Sequence, residues 1–318
     1  MCYSAQVWQA YQDYVRKFGA ELSIREFVEL YASRDKGAKV KTTKAMDDAF
    51  LRAGTPETRE IAGRIEAWNT RQATELEQLL FRQRKRLADA ERTLQTKSTK
   101  KALDDQRIAT NKIDWVKSKL ADLRRTTPED RDRRIFPGVY APVMVMEHGR
   151  RVIKPMRYQC RPAGKPAFYD TKYPGTYNAR RDNLEGFWKG QFGHTHGVIV
   201  CDAFYENVSR HKVEGRDLSE GEAEENVVLE FRPQLRQDML VACLYSHWQS
   251  DGEDLWSFAA ITDEPPQEVA AAGHDRCIIP IKEEHLNAWL DPSEKKINAL
   301  YAILDDRKRP HYEFRMAA

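Results

Sequence analysis

Cys2 follows Met1 directly. A cysteine side chain is small enough for an aminopeptidase to remove the methionine, and the chain then begins with a free α-amine and a thiol on adjacent carbons. An aldehyde meeting this 1,2-aminothiol is captured twice. The amine condenses to an imine with loss of water, and the thiolate then adds to the imine carbon and closes a five-membered thiazolidine. Both groups sit on one residue, so the closure has the intramolecular advantage. The amine titrates at about pH 8 and the thiol at about 8.5, so both reactive forms are partly present at neutral pH.

Three polar clusters lie at the edges of predicted strands: Tyr177-Asn178-Ala179-Arg180, Cys201-Asp202-Ala203-Phe204-Tyr205-Glu206 and Gly273-His274-Asp275-Arg276. Each has an ordinary reading: Asn178 closing a turn, Glu206 ending a strand in solvent, His274 bonded to a backbone carbonyl in the core. His194, His196 and Cys201 have some ligand logic, but no fourth ligand stands at zinc-finger spacing, and neither metal nor cofactor is expected.

The elements that must hold these residues fall into two textures. Residues 5 to about 130 read as helical and everything after Arg134 as short strands and loops. Val7, Tyr11, Tyr14, Val15 and Phe18 recur at helical spacing before Gly19, and Ser23-Ile24-Arg25-Glu26 has the form of a capping box. Residues 34–44 hold Arg34, Lys36, Lys39, Lys41 and Lys44 against one acid, Asp35: a phosphate-binding loop or a solvated one. Thr55-Pro56-Glu57 starts a long helix running to about Leu94, with Ile61, Ile65, Trp68, Leu76, Leu80, Leu87 and Leu94 near a heptad rhythm. After a polar turn at 96–101, Leu103, Ile113, Val116, Leu120 and Leu123 mark a second helix, so residues 56–123 form an antiparallel hairpin. Its Arg82, Arg84, Lys85 and Arg86 are open to DNA, to a protein partner or simply to solvent. Val143–Met146, Val198–Cys201, Val227–Phe231, Leu240–Tyr245, Trp256–Thr262 and Cys277–Ile281 are the strand candidates, and Trp188 lies between the first two. Together they imply an α+β chain: a compact, mostly antiparallel, barrel-like β domain over 131–318 that residues 1–4 complete, with 5–130 as a helical insertion.

Composition bounds the function classes. With 52 basic and 49 acidic residues the net charge is +3, so no global footprint for nucleic acid exists, only local patches. Five cysteines without a C-x-x-C pair suit a reducing compartment. No apolar run approaches the roughly 20 residues of a membrane span, and a soluble, cytoplasmic monomer is expected.

Taken in order, Met1-Cys2, Asn178-Ala179-Arg180, Ala203-Phe204-Tyr205-Glu206 and His274-Asp275-Arg276 followed by Ile278-Ile279-Pro280-Ile281 resemble the SRAP family, the SOS response-associated peptidase group. Val139-Tyr140-Ala141-Pro142-Val143 looks like the family's early Ala-Pro strand, and Ile261-Thr262 like the strand before its histidine. The resemblance covers residues 1–4 and about 133–291. It departs in four ways: Cys2-Tyr3-Ser4 replaces the family's Cys-Gly-Arg and removes a basic neighbour of the nucleophile; Asn207 replaces tryptophan; the helical insertion is unusual; and the last strand motif is not evident in Pro310–Ala318. The resemblance implies a protein that senses abasic sites in single-stranded DNA and crosslinks to them through a thiazolidine at Cys2. Glu206 would act as general acid, His274 as proton shuttle, and Asn178 would orient the amine. Arg180 and Arg276 would contact phosphate, and Trp188 would stack on bases. Two other readings remain open: a cysteine peptidase with Cys2 as nucleophile and His274 as base, and a non-catalytic DNA- or protein-binding module built on the hairpin.

Overall fold

The computed structural model describes residues 3–250, 252–292 and 296–317, so Cys2 lies outside the described residues. The chain divides into two compact units, one taking residues up to Ala53 and from Asp130 on, the other Gly54–Glu129.

The first unit is built on one sheet: β1 (Ser4–Val7), β2 (Glu21–Leu22), β3 (Arg134–Ile135), β4 (Tyr140–Glu147), β5 (Arg150–Tyr158), β6 (Asn178–Arg180), β7 (His196–Ser209), β8 (Asn226–Pro233), β9 (Met239–Ser250), β10 (Glu253–Asp263), β11 (Cys277–Ile278), β12 (Pro280–Ile281) and β13 (Tyr312–Met316). Strands β7, β4, β5, β10 and β9 pair in that order, and β9 returns to β7, closing a five-stranded barrel. All five pairings are antiparallel except β5–β10. The chain is therefore α+β with a mostly antiparallel barrel. Val143 and Val145 of β4, Ile199 and Phe204 of β7, Phe231 of β8 and Val241 of β9 share one core, the two β7 residues separated by a register shift opposite Gln6 and Val7, and each large side chain contributes about 1.5–3 kcal/mol on burial. Phe204 stacks on Phe231 across β7 and β8, with ring centroids 5.1 Å apart.

Strand β5 escaped the sequence reading because Arg150, Arg151, Lys154, Pro155 and Arg157 break its apolar pattern. Its buried Lys154 is neutralised by Glu26 and Glu147, at 2.9 and 2.8 Å. Pro155 stands opposite Pro142 of β4, so the two missing donors coincide at one point of the ladder.

Residues 4–53 depart from the expected all-helical texture. Ser4–Val7 is a strand, not the start of a helix, and the first helix, α1, begins at Tyr11 and runs to Phe18, ending on Gly19 at φ 59°. Helices α2 (Ile24–Asp35) and α3 (Lys44–Ala53) follow, and these segments belong to the same unit as the barrel. The basic loop is largely spoken for. Arg34 is buried, paired with Asp47 at 3.0 Å and stacked on Tyr31, and Lys44 pairs with Asp48. That leaves Lys36, Lys39 and Lys41 exposed.

The second unit is the helical hairpin, α4 (Pro56–Thr96) and α5 (Lys100–Arg124). At 1.5 Å per residue α4 is about 60 Å long. Pro56 occupies its first turn, and Thr99 caps α5 by accepting from the Ala102 N–H at 3.2 Å. Ala102, Ala109, Ile113, Val116 and Leu120 form the buried stripe of α5 at heptad spacing, whereas Leu103 is exposed. Near the turn the helices meet through Ala90 and Ala102 and are tied by Arg86, whose Nε and Nη2 donate to Asp105.

Candidate active site

Glu206 lies in the second half of β7 and is 0 % exposed. His274 approaches it from the loop before β11, with Nε2 3.1 Å from Oε2. The other ring nitrogen, Nδ1, is 2.9 Å from the Arg276 carbonyl. The carboxyl and the ring thus stand at ion-pair distance within the buried interior. Burial pulls the pKa of His274 below its ordinary value, against the opposing pull of the Arg276 carbonyl and the Asp275 charge.

The Asn-Ala-Arg and His-Asp-Arg motifs meet at the end of β10. Thr262 stands opposite Arg180 in the parallel β6 and opposite Ile278 in the antiparallel β11. Asp182 joins the motifs from above: its carboxylate takes Arg180 Nε and Nη2 at 3.1 and 2.6 Å and lies 3.6 Å from Arg276 Nη2. Arg180 holds Asp182 below the usual carboxylate range, and Asp182 in turn raises Arg180. Asn178, two residues earlier, is 6 % exposed, and neither its amide nitrogen nor its oxygen has a partner among the described residues. The same holds for the buried hydroxyls of Thr176 and Thr262. Three neutral groups with unused hydrogen-bonding capacity thus lie on β6, β10 and the loop before β6, at the end of the sheet where the two arginines sit.

The leading strand reaches this place through pairing with β7. Ser4 stands opposite Tyr205, and the Tyr3 N–H donates to the Tyr205 carbonyl at 3.3 Å, one residue before Glu206. Buried Ser4 and Gln6 are satisfied there: Gln6 donates to the Tyr205 hydroxyl at 2.7 Å, and Ser4 Oγ accepts from Arg134 Nε at 2.9 Å. Arg134 is a residue that the sequence reading missed. Its guanidinium lies 3.6 Å from the Tyr205 ring centroid and 4.8 Å from that of Phe136. It has no ion pair among the described residues, and burial lowers its pKa. A basic group thus stands beside Ser4, where the sequence itself has none. Its strand, β3, is only two residues long and offered no period to read. Asp182 was also missed, although it follows Arg180 closely enough to have been read with it.

Trp188 does not take the place expected of it. It is 3 % exposed, with no ring face free for a base, and the exposed aromatic at this bend is its neighbour Phe187, edge-on to it at 5.0 Å. His196 is structural: Nδ1 bonds the Trp289 carbonyl at 3.0 Å, Nε2 accepts from the Gly193 N–H at 2.9 Å, and burial pulls its pKa down to about 3. It has no nitrogen left for a metal. Cys160, Cys201, Cys243 and Cys277 are buried, and burial raises every one of their thiol pKa values, that of Cys160 to about 12. Buried thiols so shifted are poor nucleophiles.

A family model described as "SOS response associated peptidase (SRAP)" matches residues 92–317, a stretch that begins after Cys2. No curated protein matches the chain. Similar solved structures include a protein from Bordetella bronchiseptica (15 % identity, TM-score 0.46, covering 58 % of this chain and 87 % of that one). A protein from Bacteroides thetaiotaomicron (13 %, 0.46, 58 % and 78 %) and a phage-related protein from Bordetella bronchiseptica (18 %, 0.44, 58 % and 81 %) are others.

Proposed function

The chain belongs to the SOS response associated peptidase family, and from that premise we propose that it captures abasic sites in single-stranded DNA as a covalent thiazolidine on Cys2. The observation that carries this reading is the buried Glu206–His274 pair beside the strand that leads back to Cys2. An abasic deoxyribose is mostly a closed hemiacetal, and its aldehyde appears when the ring oxygen takes up a proton, the C1′–O4′ bond breaks and the C1′ hydroxyl gives up its proton to a base. Glu206, buried and 3.1 Å from His274, is suited to protonate the ring oxygen, and the neutral ring of His274 to take the proton of the hydroxyl. His274, which burial biases toward the neutral ring, can then accept a proton from the attacking amine and return it to the departing water. The α-amine and C1′ lose one water as the imine forms. The thiolate adds to the imine carbon, and the nitrogen takes up the thiol's proton.

Asn178 supports the reading as a neutral amide with both ends unused, able to orient an amine without competing as a base. Thr262 offers a second such contact. Arg180 and Arg276 supply donors for phosphates flanking the lesion, and Arg134 supplies a cation on the other side, next to Ser4. The raised thiols of the four buried cysteines leave Cys2 as the reactive sulfur. Single-stranded DNA is the expected substrate because in duplex the sugar must first be extruded, at a cost of a few kcal/mol.

The test is incubation of the purified protein with a single-stranded abasic oligonucleotide, followed by denaturing electrophoresis and intact mass. The expected product has the summed mass less one water, on protein lacking Met1, and is absent with Cys2→Ala. A protein that retains Met1, or a Cys2→Ala variant that crosslinks equally, would sink the proposal.

A further inference from the structure

The distal half of the hairpin has a charge distribution that its fold does not require. The hairpin unit carries 17 basic and 12 acidic residues; nine of the basic and four of the acidic ones fall within residues 81–107, and the remainder of the unit balances at eight of each. The net charge of the unit is therefore concentrated around its turn. Three of the four distal acids are already paired: Asp105 with Arg86, Asp89 with Arg92 and Asp104 with Arg107. Arg82, Arg84, Lys85, Lys97, Lys100 and Lys101 are all exposed and have no ion pair among the described residues. Arg82, Lys85 and Arg86 of α4 and Lys101 of α5 line one groove of about 560 Å³ between the helices, where the hydroxyl residues Thr93 and Thr99 also lie.

Beside this groove stands Phe81, 73 % exposed, the most exposed aromatic residue among the described ones. It follows Leu80 and precedes the groove-lining Arg82, and lies one helical turn from Arg84 and Lys85. A row of uncompensated cations with a bare aromatic ring beside it is the arrangement that binds a single nucleic-acid strand: the cations follow the backbone, and the ring stacks on a base whatever its identity. Stacking on the ring needs an unpaired base, which a single strand offers and a duplex does not.

We propose that the distal hairpin is a sequence-independent arm for single-stranded DNA, with Arg82, Lys85, Lys100 and Lys101 contacting phosphates and Phe81 stacking on a base. It goes beyond the capture chemistry and rests on that reading only in taking nucleic acid as the polyanion.

The test uses the full chain in a Cys2→Ala background, where binding is non-covalent and crosslinking can neither help nor hinder. A fluorescent 30-nucleotide single strand without a lesion, the same sequence as duplex, and phosphatidylserine-containing vesicles are titrated over a range of salt. The single strand should bind tightest. Changing Arg82, Lys85, Lys100 and Lys101 together to glutamine should lower the salt slope by about 3, at about 0.7 per lost phosphate contact, and weaken binding on the order of a hundredfold at 0.1 M salt. Phe81→Ala, at an exposed site that cannot endanger the fold, should weaken it about five- to a hundredfold with the salt slope unchanged. Unchanged affinity and slope in the quadruple variant, unchanged affinity in Phe81→Ala, tighter binding to duplex, or binding to vesicles in preference to the oligonucleotide would each overturn the proposal. Loss of crosslinking by the parent protein would leave it standing.

Discussion

Replacing Glu206 by glutamine separates its chemistry from its packing. The carboxyl is fully buried and 3.1 Å from His274 Nε2. Glutamine has nearly the same shape and can still hydrogen bond to the ring, so the cost in stability is that of one altered buried hydrogen bond, about 1 kcal/mol. Proton delivery is lost altogether, since an amide cannot donate an acidic proton and bulk water does not reach the position. General-acid catalysis is worth about 10²- to 10⁴-fold, or about 2.7–5.4 kcal/mol of barrier. The burial of the site argues for the upper part of that range. The assay is single-turnover crosslinking at saturating abasic oligonucleotide, read by quenched time points on denaturing gels, with thermal unfolding run in parallel. A second substrate, an oligonucleotide bearing an aliphatic aldehyde with no ring to open, bypasses the step assigned to Glu206. Glu206→Gln should be slow on the abasic substrate and near wild type on the open aldehyde. Wild-type rates on both would refute the assignment. An equal defect on both would move Glu206 from ring opening to imine formation.

Other outcomes follow from the same geometry. Reductive dimethylation of the α-amine, leaving the thiol free, should abolish crosslinking, and any Cys2-dependent peptide cleavage that survives it would favour the peptidase reading. Burial lowers the folded-state pKa of His274, so the neutral ring persists below pH 6.5. The acid limb of the rate profile assigned to His274 should therefore lie below that value, and a limb above it would contradict the assignment. The same shift means that the unfolded chain binds more protons, so the contribution of His274 to stability falls as pH drops through and below 6.5, in denaturant titrations compared with His274→Gln. Arg134→Leu removes the cation beside Ser4 and should weaken binding of a single-stranded abasic-analogue oligonucleotide about 10- to 100-fold; because it also takes a donor from the buried Ser4 hydroxyl, the thermal midpoint should fall as well, and equal affinity would confine Arg134 to packing. Asp182→Asn frees Arg180 and Arg276 from their shared carboxylate and should tighten non-covalent binding to the same oligonucleotide, steepening its salt dependence; weaker binding would show that Asp182 mainly holds the two arginines in place.

Much of the molecule was legible along the chain. The β-rich apolar runs inside β4, β7, β8, β9 and β10 stand out between turn residues clearly enough to be read as strands, and the heptad rhythm with its capping signals marks the hairpin near its observed bounds. The order of Cys2, Asn178, Glu206 and His274 was sufficient to suggest a chemistry. These features are local: a period, a cap or a motif needs only a few consecutive residues.

Tertiary structure decided what those residues meet. The strand Ser4–Val7 is too short to display a period, and its partner lies some 200 residues away in β7, a pairing set by register. Charged β5 is a barrel strand because Glu26 and Glu147, remote in sequence, neutralise its buried lysine. Trp188 faces inward, Arg34 is enclosed by Tyr31 and Asp47, and Arg134 arrives beside Ser4, in each case because the environment of a side chain is set by elements that pack against it from elsewhere in the chain. The sequence by itself thus determined which chemical groups the protein has and their order along the chain. Only the closing of the barrel determined that an acid and an imidazole stand 3.1 Å apart in the interior, because burial and distance are properties of packing.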